Sequence, residues 1–405
     1  MQPRAGSLNS AAPTPRLSLL HRGRYLATLT VAALVLAWAW DAWRESTAPE
    51  YVSPRFAVVA SPASINATPA LPALTEVESH VLPVTPDKPM SHASTLVALT
   101  ERDGRRVLVA HWFAGSRESG PDVEIMTSRF DAVRNTWSTP SVAVNRQVLA
   151  QQLGFGVRRL GNSVGWVDRT GKLHLFAVAT GLGGWGASRV VHLLSEDDGY
   201  TFTPLRMLPL SPLFNTSNLV RAPVVPLADG GALLPLYFEM GIKYPLALRI
   251  SASGLPREVT RMSADSDALQ PDVIPLDGLR AVALLRDRGD SRTMKLLSTS
   301  DGGRSWVDEG ATNLANPNSS VAGLRLPSGI LLAVLNPSPK GRHDLAIAAS
   351  TAGHEWRILR MIEAGAENEE YSYPALLMDD GRLHVTYTYR RQSIRHRIYT
   401  IGALE

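Results

Sequence analysis

With 405 residues, 44% of them apolar, and nine tryptophans, the chain has ample material for one large core. Its net charge of +4 is small for the length, and no Lys/Arg-rich run with interleaved aromatics lies inside the main body, so nucleic acid is not an expected partner. Cysteine is absent, which excludes disulfides, thiolate metal sites and a cysteine nucleophile.

Residues 1–24 form a basic tail that carries Arg16, His21, Arg22 and Arg24 just ahead of an uninterrupted run of apolar and small side chains at 25–40. The positive flank keeps the tail cytoplasmic. The run reaches spanning length when extended to residue 43, with Asp41 at the interface and Trp38, Trp40 and Trp43 as an interfacial belt. The expectation is an inner-membrane signal anchor at 25–43 holding a periplasmic, extracytoplasmic domain. Ala37-Trp38-Ala39 leaves the alternative of a cleaved signal peptide and a secreted domain. Residues 44–75 are rich in Pro, Ala and Ser without periodicity and read as a semi-extended linker. The folded domain is then 76–405.

Within that domain, Ser195-Glu196-Asp197-Asp198-Gly199-Tyr200-Thr201-Phe202 returns in altered form as Thr299-Ser300-Asp301-Gly302-Gly303-Arg304-Ser305-Trp306. The shared pattern suits a tight hairpin turn: Asp accepts bonds from turn N–H groups, Gly takes positive φ, and the aromatic folds back onto the sheet. Weaker copies place aromatics at Trp137 and Trp356, and the spacing calls for a degenerate copy near 251–257. These intervals match four-stranded blades of roughly 40–50 residues or more. Strands are expected at 107–113, 172–178, 232–238, 281–285, 330–335 and 382–389, each after a Gly-containing turn. Six such units predict an all-β, six-bladed propeller whose last blade is closed by the two ends of the domain.

The repeated turn resembles the Asp-box of sialidases and other BNR-repeat proteins, and the rest of the chain is similar to a divergent bacterial sialidase-like subgroup. That resemblance makes Asp197, Gly199, Asp301 and Gly303 structural, remote from any active site. It also implies a set of site residues. Ala283-Leu284-Leu285-Arg286 and Arg342-His343-Asp344-Leu345 are similar to segments that hold two of the family's three carboxylate-binding arginines, which gives Arg286 and Arg342 that role. Ser116-Arg117-Glu118 with Asp122 resembles the segment of an arginine and the general acid, making Arg117 a ligand for the substrate and Asp122 the acid. Glu370-Tyr371-Ser372-Tyr373-Pro374-Ala375-Leu376 resembles the nucleophile segment; Tyr373 fits by its distance to Leu376 and Tyr371 by its Tyr-Ser dipeptide.

Two positions depart from the pattern. His92 stands where the first arginine is expected, and Gln270 stands where the glutamate that deprotonates the tyrosine is expected. A phenol with an ordinary pKa near 10 is a poor nucleophile without a base. Glu239 or Asp272 could compensate, and His92 could bind an anion when protonated or a hydroxyl when neutral.

The implied activity is exo-acting hydrolysis of an acidic sugar, a sialic acid, related nonulosonate or uronic acid, from a glycan or polysaccharide. The alternatives are a non-catalytic glycan-binding propeller in exopolysaccharide assembly, a polysaccharide lyase and a protein-interaction scaffold. Plainer roles also suit individual residues: rim salt bridges for Arg117, Arg286 and Arg342, a loop cap after Pro121 for Asp122, packing for the tyrosines. The histidines lack metal-ligand spacing, and no Gly-rich phosphate loop opens a helix, so no metal, cofactor or nucleotide is expected.

Overall fold

Each of the six Gly-containing turns seen in the sequence joins the first strand of an antiparallel sheet to its second, and six such sheets make up the computed structural model, an all-β six-bladed propeller. The structure describes residues 19–46, 54–58, 70–211 and 215–403. Blade one is built on Met90–Thr100, Arg106–Gly115 and Glu124–Asp131, with Thr136–Trp137 and Ser141–Val144 both pairing with the third strand. Blade two comprises Arg159–Val167, Leu173–Thr180, Ser188–Ser195 and Thr203–Met207, and blade three Asn218–Val220, Ala232–Phe238, Tyr244–Ile250 and Pro256–Arg261. Blade four comprises Ala268–Pro275, Ala281–Asp287, Thr293–Thr299 and Val307–Ala315, and blade five Ala322–Arg325, Leu331–Leu335, Asp344–Ser350 and Arg357–Ala364. Blade six takes Tyr371–Asp379, Arg382–Tyr389 and Ser393–Ala403 from the end of the chain, and its fourth strand is Pro72–Val81 from the start of the domain.

The apolar side chains sit between blades. Val164 and Phe176 of blade two meet Leu234 and Leu248 of blade three; Ile274 and Leu284 of blade four meet Leu331 and Ala333 of blade five. Every second strand is buried on both faces because it lies inside its own sheet and between two neighbouring sheets, which is why these segments read as continuous apolar runs.

The two matching turns fold alike. Asp301 accepts from the backbone N–H groups of Arg304 and Ser305, both at 3.0 Å, and from Ser305 Oγ at 2.6 Å, while Thr299 Oγ1 accepts from Gly303 N at 3.1 Å. Asp197 accepts from Thr201 N at 2.8 Å and Thr201 Oγ1 at 2.6 Å, and Ser195 Oγ accepts from Gly199 N at 2.7 Å. Gly199 has a φ of 82°, and a Cβ there would meet Leu173 at 2.7 Å, so both conformation and space demand glycine. Burial alone would raise both aspartates, but these hydrogen bonds outweigh it and hold the carboxyls below their ordinary value.

The domain starts earlier than the composition suggested. The closing strand begins at Pro72, and residues 54–58, inside the expected linker, are docked on the propeller. Phe56 is 2% exposed among Leu227, Leu233 and Val273. Its N–H donates to Gly278 O at 2.8 Å, and Ala57 N donates to Pro226 O at 3.0 Å. One aromatic in a Pro/Ala-rich stretch supplies enough apolar surface to fix a short segment, a signal that average composition hides. The basic tail to residue 18 and linker residues 47–53 and 59–69 lie outside the described residues, while 44–46 continue the N-terminal helix. A helix runs from Leu19 to Ser46, and Gly23–Trp40 within it is long and apolar enough to cross a membrane, with a mean hydropathy of 1.3 and none of its side chains buried.

Asp301→Ala should lower the stability of the propeller by about 1–2 kcal/mol through the unpaired turn donors, measured by denaturant unfolding. The native advantage of the depressed Asp197 and Asp301 carboxyls is present above their unfolded pKa and is lost as pH falls through the folded one, so acid unfolding should shift to higher pH in the variant. Phe56→Ala should cost about 3 kcal/mol and expose 54–58 to proteolysis; unchanged cleavage in that segment would contradict the docking.

Candidate active site

The first strands of the blades neighbour one another around the axis, and four of them carry the same interruption. Pairing with the second strand shifts register between His92 and Thr95, Leu160 and Ser163, Leu269 and Asp272, and Ser372 and Ala375. Such bulges re-aim side chains. They carry the non-glycine residues Ala93, Gln270 and Tyr373 at φ of 57°, 52° and 52°. His92, Asn162, Gln270 and Tyr373 thereby converge on one cavity of about 220 Å³. It lies at the start of the first strands and the end of the second, opposite the end that carries the Asp301 turn.

Arg286 closes one wall from the end of a blade-four strand. Its Nε donates to Asn318 Oδ1 at 2.6 Å, and its Nη1 donates to Tyr373 Oη at 3.3 Å and Gln270 Oε1 at 3.4 Å. None of these three partners is a carboxylate. Arg342 arrives from the loop after Leu335, donating to Asn318 O at 2.8 Å and to Glu370 Oε1 at 3.1 Å. Arg391 comes from the last hairpin and bonds Glu370 Oε2 at 2.5 Å and Glu118. Burial is the largest single influence and would raise Glu370, yet its bonds to Arg391 and Ser372 and the charge of Arg342 together outweigh it and the carboxyl falls to about 2. Glu370 is thus a fixed anion that orients Arg342 and Arg391. Glu118 and Glu239 supply two further carboxylates on the lining.

Of the residues anticipated from sequence, Arg286, Arg342, Tyr373, His92, Gln270 and Glu239 lie on this cavity. Arg117 and Asp122 do not; both are exposed. Asp122 accepts from Ser116 N at 2.6 Å and Ser116 Oγ at 2.9 Å, and the backbone bond holds the carboxyl below its ordinary value. A carboxylate tied into its own loop and kept ionised is a cap and not a proton donor, so the acid role assigned to Asp122 does not fit this geometry. Glu118 of the same loop is the carboxylate that reaches the cavity. Tyr371 is packed in the core, its hydroxyl donating to Glu369 at 2.8 Å and accepting from Arg390 at 3.1 Å. Its two-residue offset from Tyr373 across the bulge separates a core side chain from a cavity one.

His92 is 1% exposed, and neither ring nitrogen has a partner. It packs against Tyr373 with ring centroids 4.5 Å apart. Burial lowers its pKa to about 3, so the ring is neutral at physiological pH and offers hydrogen bonds to a hydroxyl, in place of the charge an arginine would bring. Asp272 is buried as well and is pushed up to about 7 by burial, accepting from Gly323 N at 3.2 Å. It is absent from the cavity lining. Among the described residues no cluster of three or more His, Asp or Glu could hold a metal ion.

A family model described as a BNR repeat-like domain matches residues 105–385, more than half of the chain. The chain belongs to that family. Its fold is that of sialidases, at low sequence identity. A structure titled Hadza microbial sialidase Hz136 superposes with a TM-score of 0.63 and 19% identity, over 78% of this chain and 66% of that one. A Dyadobacter fermentans protein of unknown function gives 0.63 and 15%, over 82% of this chain and 100% of that one. A leech intramolecular trans-sialidase bound to 2,7-anhydro-Neu5Ac gives 0.60 and 12%, over 80% and 70%. No curated protein matches the sequence.

Arg391, Glu118 and Arg221, which packs behind Tyr373, were not legible as site residues. Arg391 sits in a hairpin turn at φ 57°, where a basic residue reads as solvent-facing. The imidazole resonances of His92 should stay flat from pH 8 to pH 5 and move only below about 4, as read by NMR; a midpoint near 6 would place a charged histidine in the cavity.

Proposed function

We propose that this BNR-repeat propeller is a glycosidase that removes a terminal acidic sugar from a glycan. The observation that carries the reading is Arg286, a cavity arginine with no carboxylate partner among the described residues, its side chain bonding Asn318, Gln270 and Tyr373. A guanidinium without a carboxylate partner in a partly dry pocket favours a carboxylate ligand. Arg342 and Arg391, spaced by Glu370, extend the same wall. The small cavity volume suits a single sugar ring, with His92 and Glu239 on its hydroxyls.

In this reading the Tyr373 oxygen attacks in its phenolate form, bonding to the anomeric carbon as the glycosidic C–O bond breaks, and the leaving oxygen takes its proton from a carboxyl. Glu118 is that carboxyl once the incoming substrate carboxylate competes for Arg391. Water then opens the aryl glycoside intermediate, with Glu118 accepting its proton. Asp122 orders the loop that presents Glu118. The helix at 19–46 tethers the domain to a membrane on its extracytoplasmic side, or marks a signal sequence removed on export. A glycan-binding propeller without turnover is the reading that Gln270 favours, because an amide cannot act as a base.

The full chain in detergent, assayed on aryl glycosides of nonulosonic and uronic acids, should release the aglycone. Tyr373→Phe should lower kcat at least 1,000-fold, on the order of losing a covalent nucleophile. Arg286→Met should weaken ligand binding roughly 100-fold. Saccharide binding without release in the parent protein would select the binding reading, and neither binding nor release would overturn both.

A further inference from the structure

Arg221 follows the short first strand of blade three and is 3% exposed. Its Nη2 donates to Pro374 O at 2.6 Å, its Nε has no partner, and the guanidinium lies 5.2 Å from the centre of the Tyr373 ring. Among the described residues no carboxylate comes within 4.0 Å of it. Asp272, the nearby acid, is itself held by a backbone N–H and is partly protonated near neutral pH. A buried cation without a close counter-ion is strongly unfavourable unless something else offsets it, and Pro374 is the residue next to Tyr373.

We propose that Arg221, together with Arg286 and Arg342, is the built-in counter-charge that favours a Tyr373 phenolate, so that the nucleophile loses its proton more readily and position 270 needs no carboxylate base. This rests on the reading of Tyr373 as the reacting group of the cavity. The groups that face it come from five blades: neutral His92 and Glu118 of blade one, Arg221, protonated Tyr237 and Glu239 of blade three, Arg286 and Gln270 of blade four, Arg342 of blade five, and, on blade six, its own hairpin's Arg391 paired with Glu370. Burial pushes a phenol up by as much as 3–5 pKa units, and each guanidinium within about 4–6 Å pulls it down by 1–3. Here burial is the largest single influence, and the pull of Arg286 and Arg342 overcomes it to leave Tyr373 below its ordinary value. Gln270 supports the same state. Its Nε2 donates to Tyr237 Oη at 3.3 Å and its Oε1 accepts from Arg286. A glutamate there would neutralise Arg286 and repel the phenolate.

Arg221 touches the ring from behind the cavity and is a positioning residue. Its test is the ultraviolet tyrosinate titration of the full chain in detergent, with the Tyr373→Phe titration subtracted to isolate one phenol. The difference should show a midpoint below the ordinary value of about 10. Arg221→Met should raise that midpoint by a unit or more, a tenfold loss in the ionisation constant, and Arg221→Lys should restore most of it. Gln270→Glu, which leaves Arg221 in place, should also raise the midpoint and keeps the test available when Arg221→Met does not fold. A parent midpoint at or above the ordinary value overturns the proposal, as does a midpoint unmoved by Arg221→Met or Gln270→Glu. A low midpoint in a protein without turnover keeps it and removes the glycosidase reading.

Discussion

The bulge near the start of the innermost strands is the constraint on which the site depends. In an unbroken strand, successive side chains alternate between the two faces of the sheet and would pack into neighbouring blades. The extra residue breaks that alternation and turns His92, Gln270 and Tyr373 toward the axis. Left-handed backbone at a non-glycine residue costs on the order of 1–2 kcal/mol, and Ala93, Gln270 and Tyr373 each adopt it. The surrounding blades hold these conformations because every first strand is hydrogen-bonded to a second strand buried on both faces. Strain repeated at equivalent positions, all of them beside one cavity, marks the axis end as the functional one.

Electrostatics then divides the arginines around Tyr373 into two kinds. Arg342 and Arg391 share Glu370 and are fixed by it. Among the described residues no carboxylate accepts a hydrogen bond from Arg286 or Arg221. The substitution of an amide for a carboxylate at Gln270 is consistent with that division, since it leaves Arg286 uncompensated for a ligand and the phenol beside it with cations nearby. His92 follows the same logic from the other side: being neutral, it adds hydrogen-bonding capacity without a further charge.

What the sequence revealed followed from short-range physics. Turn glycines and apolar runs marked the second strands to within one or two residues, for example 232–238 and 382–389, because blade geometry repeats locally. Arg286, Arg342 and Tyr373 were reachable through the resemblance of their segments to those of sialidases, not through spacing alone. Asp122 misled because a loop aspartate five residues after an arginine suits an acid and a cap equally well; only the Ser116 bonds decide between them. Glu118 and Arg391 come together across 273 positions of sequence, and Arg221 meets Tyr373 only through the closed ring of blades. No local pattern carries such contacts. Phe56 was hidden for the opposite reason: a single aromatic does not change the composition of a Pro/Ala-rich segment, yet it suffices to dock five residues.

The central claim is that the cavity selects a carboxylate, and calorimetric binding of one acidic monosaccharide compared with its methyl ester addresses it most directly. The ester keeps the ring and hydroxyls while removing the charge that Arg286 would hold. At least tenfold tighter binding of the free acid is the expected result; equal affinity for acid and ester would contradict the assignment.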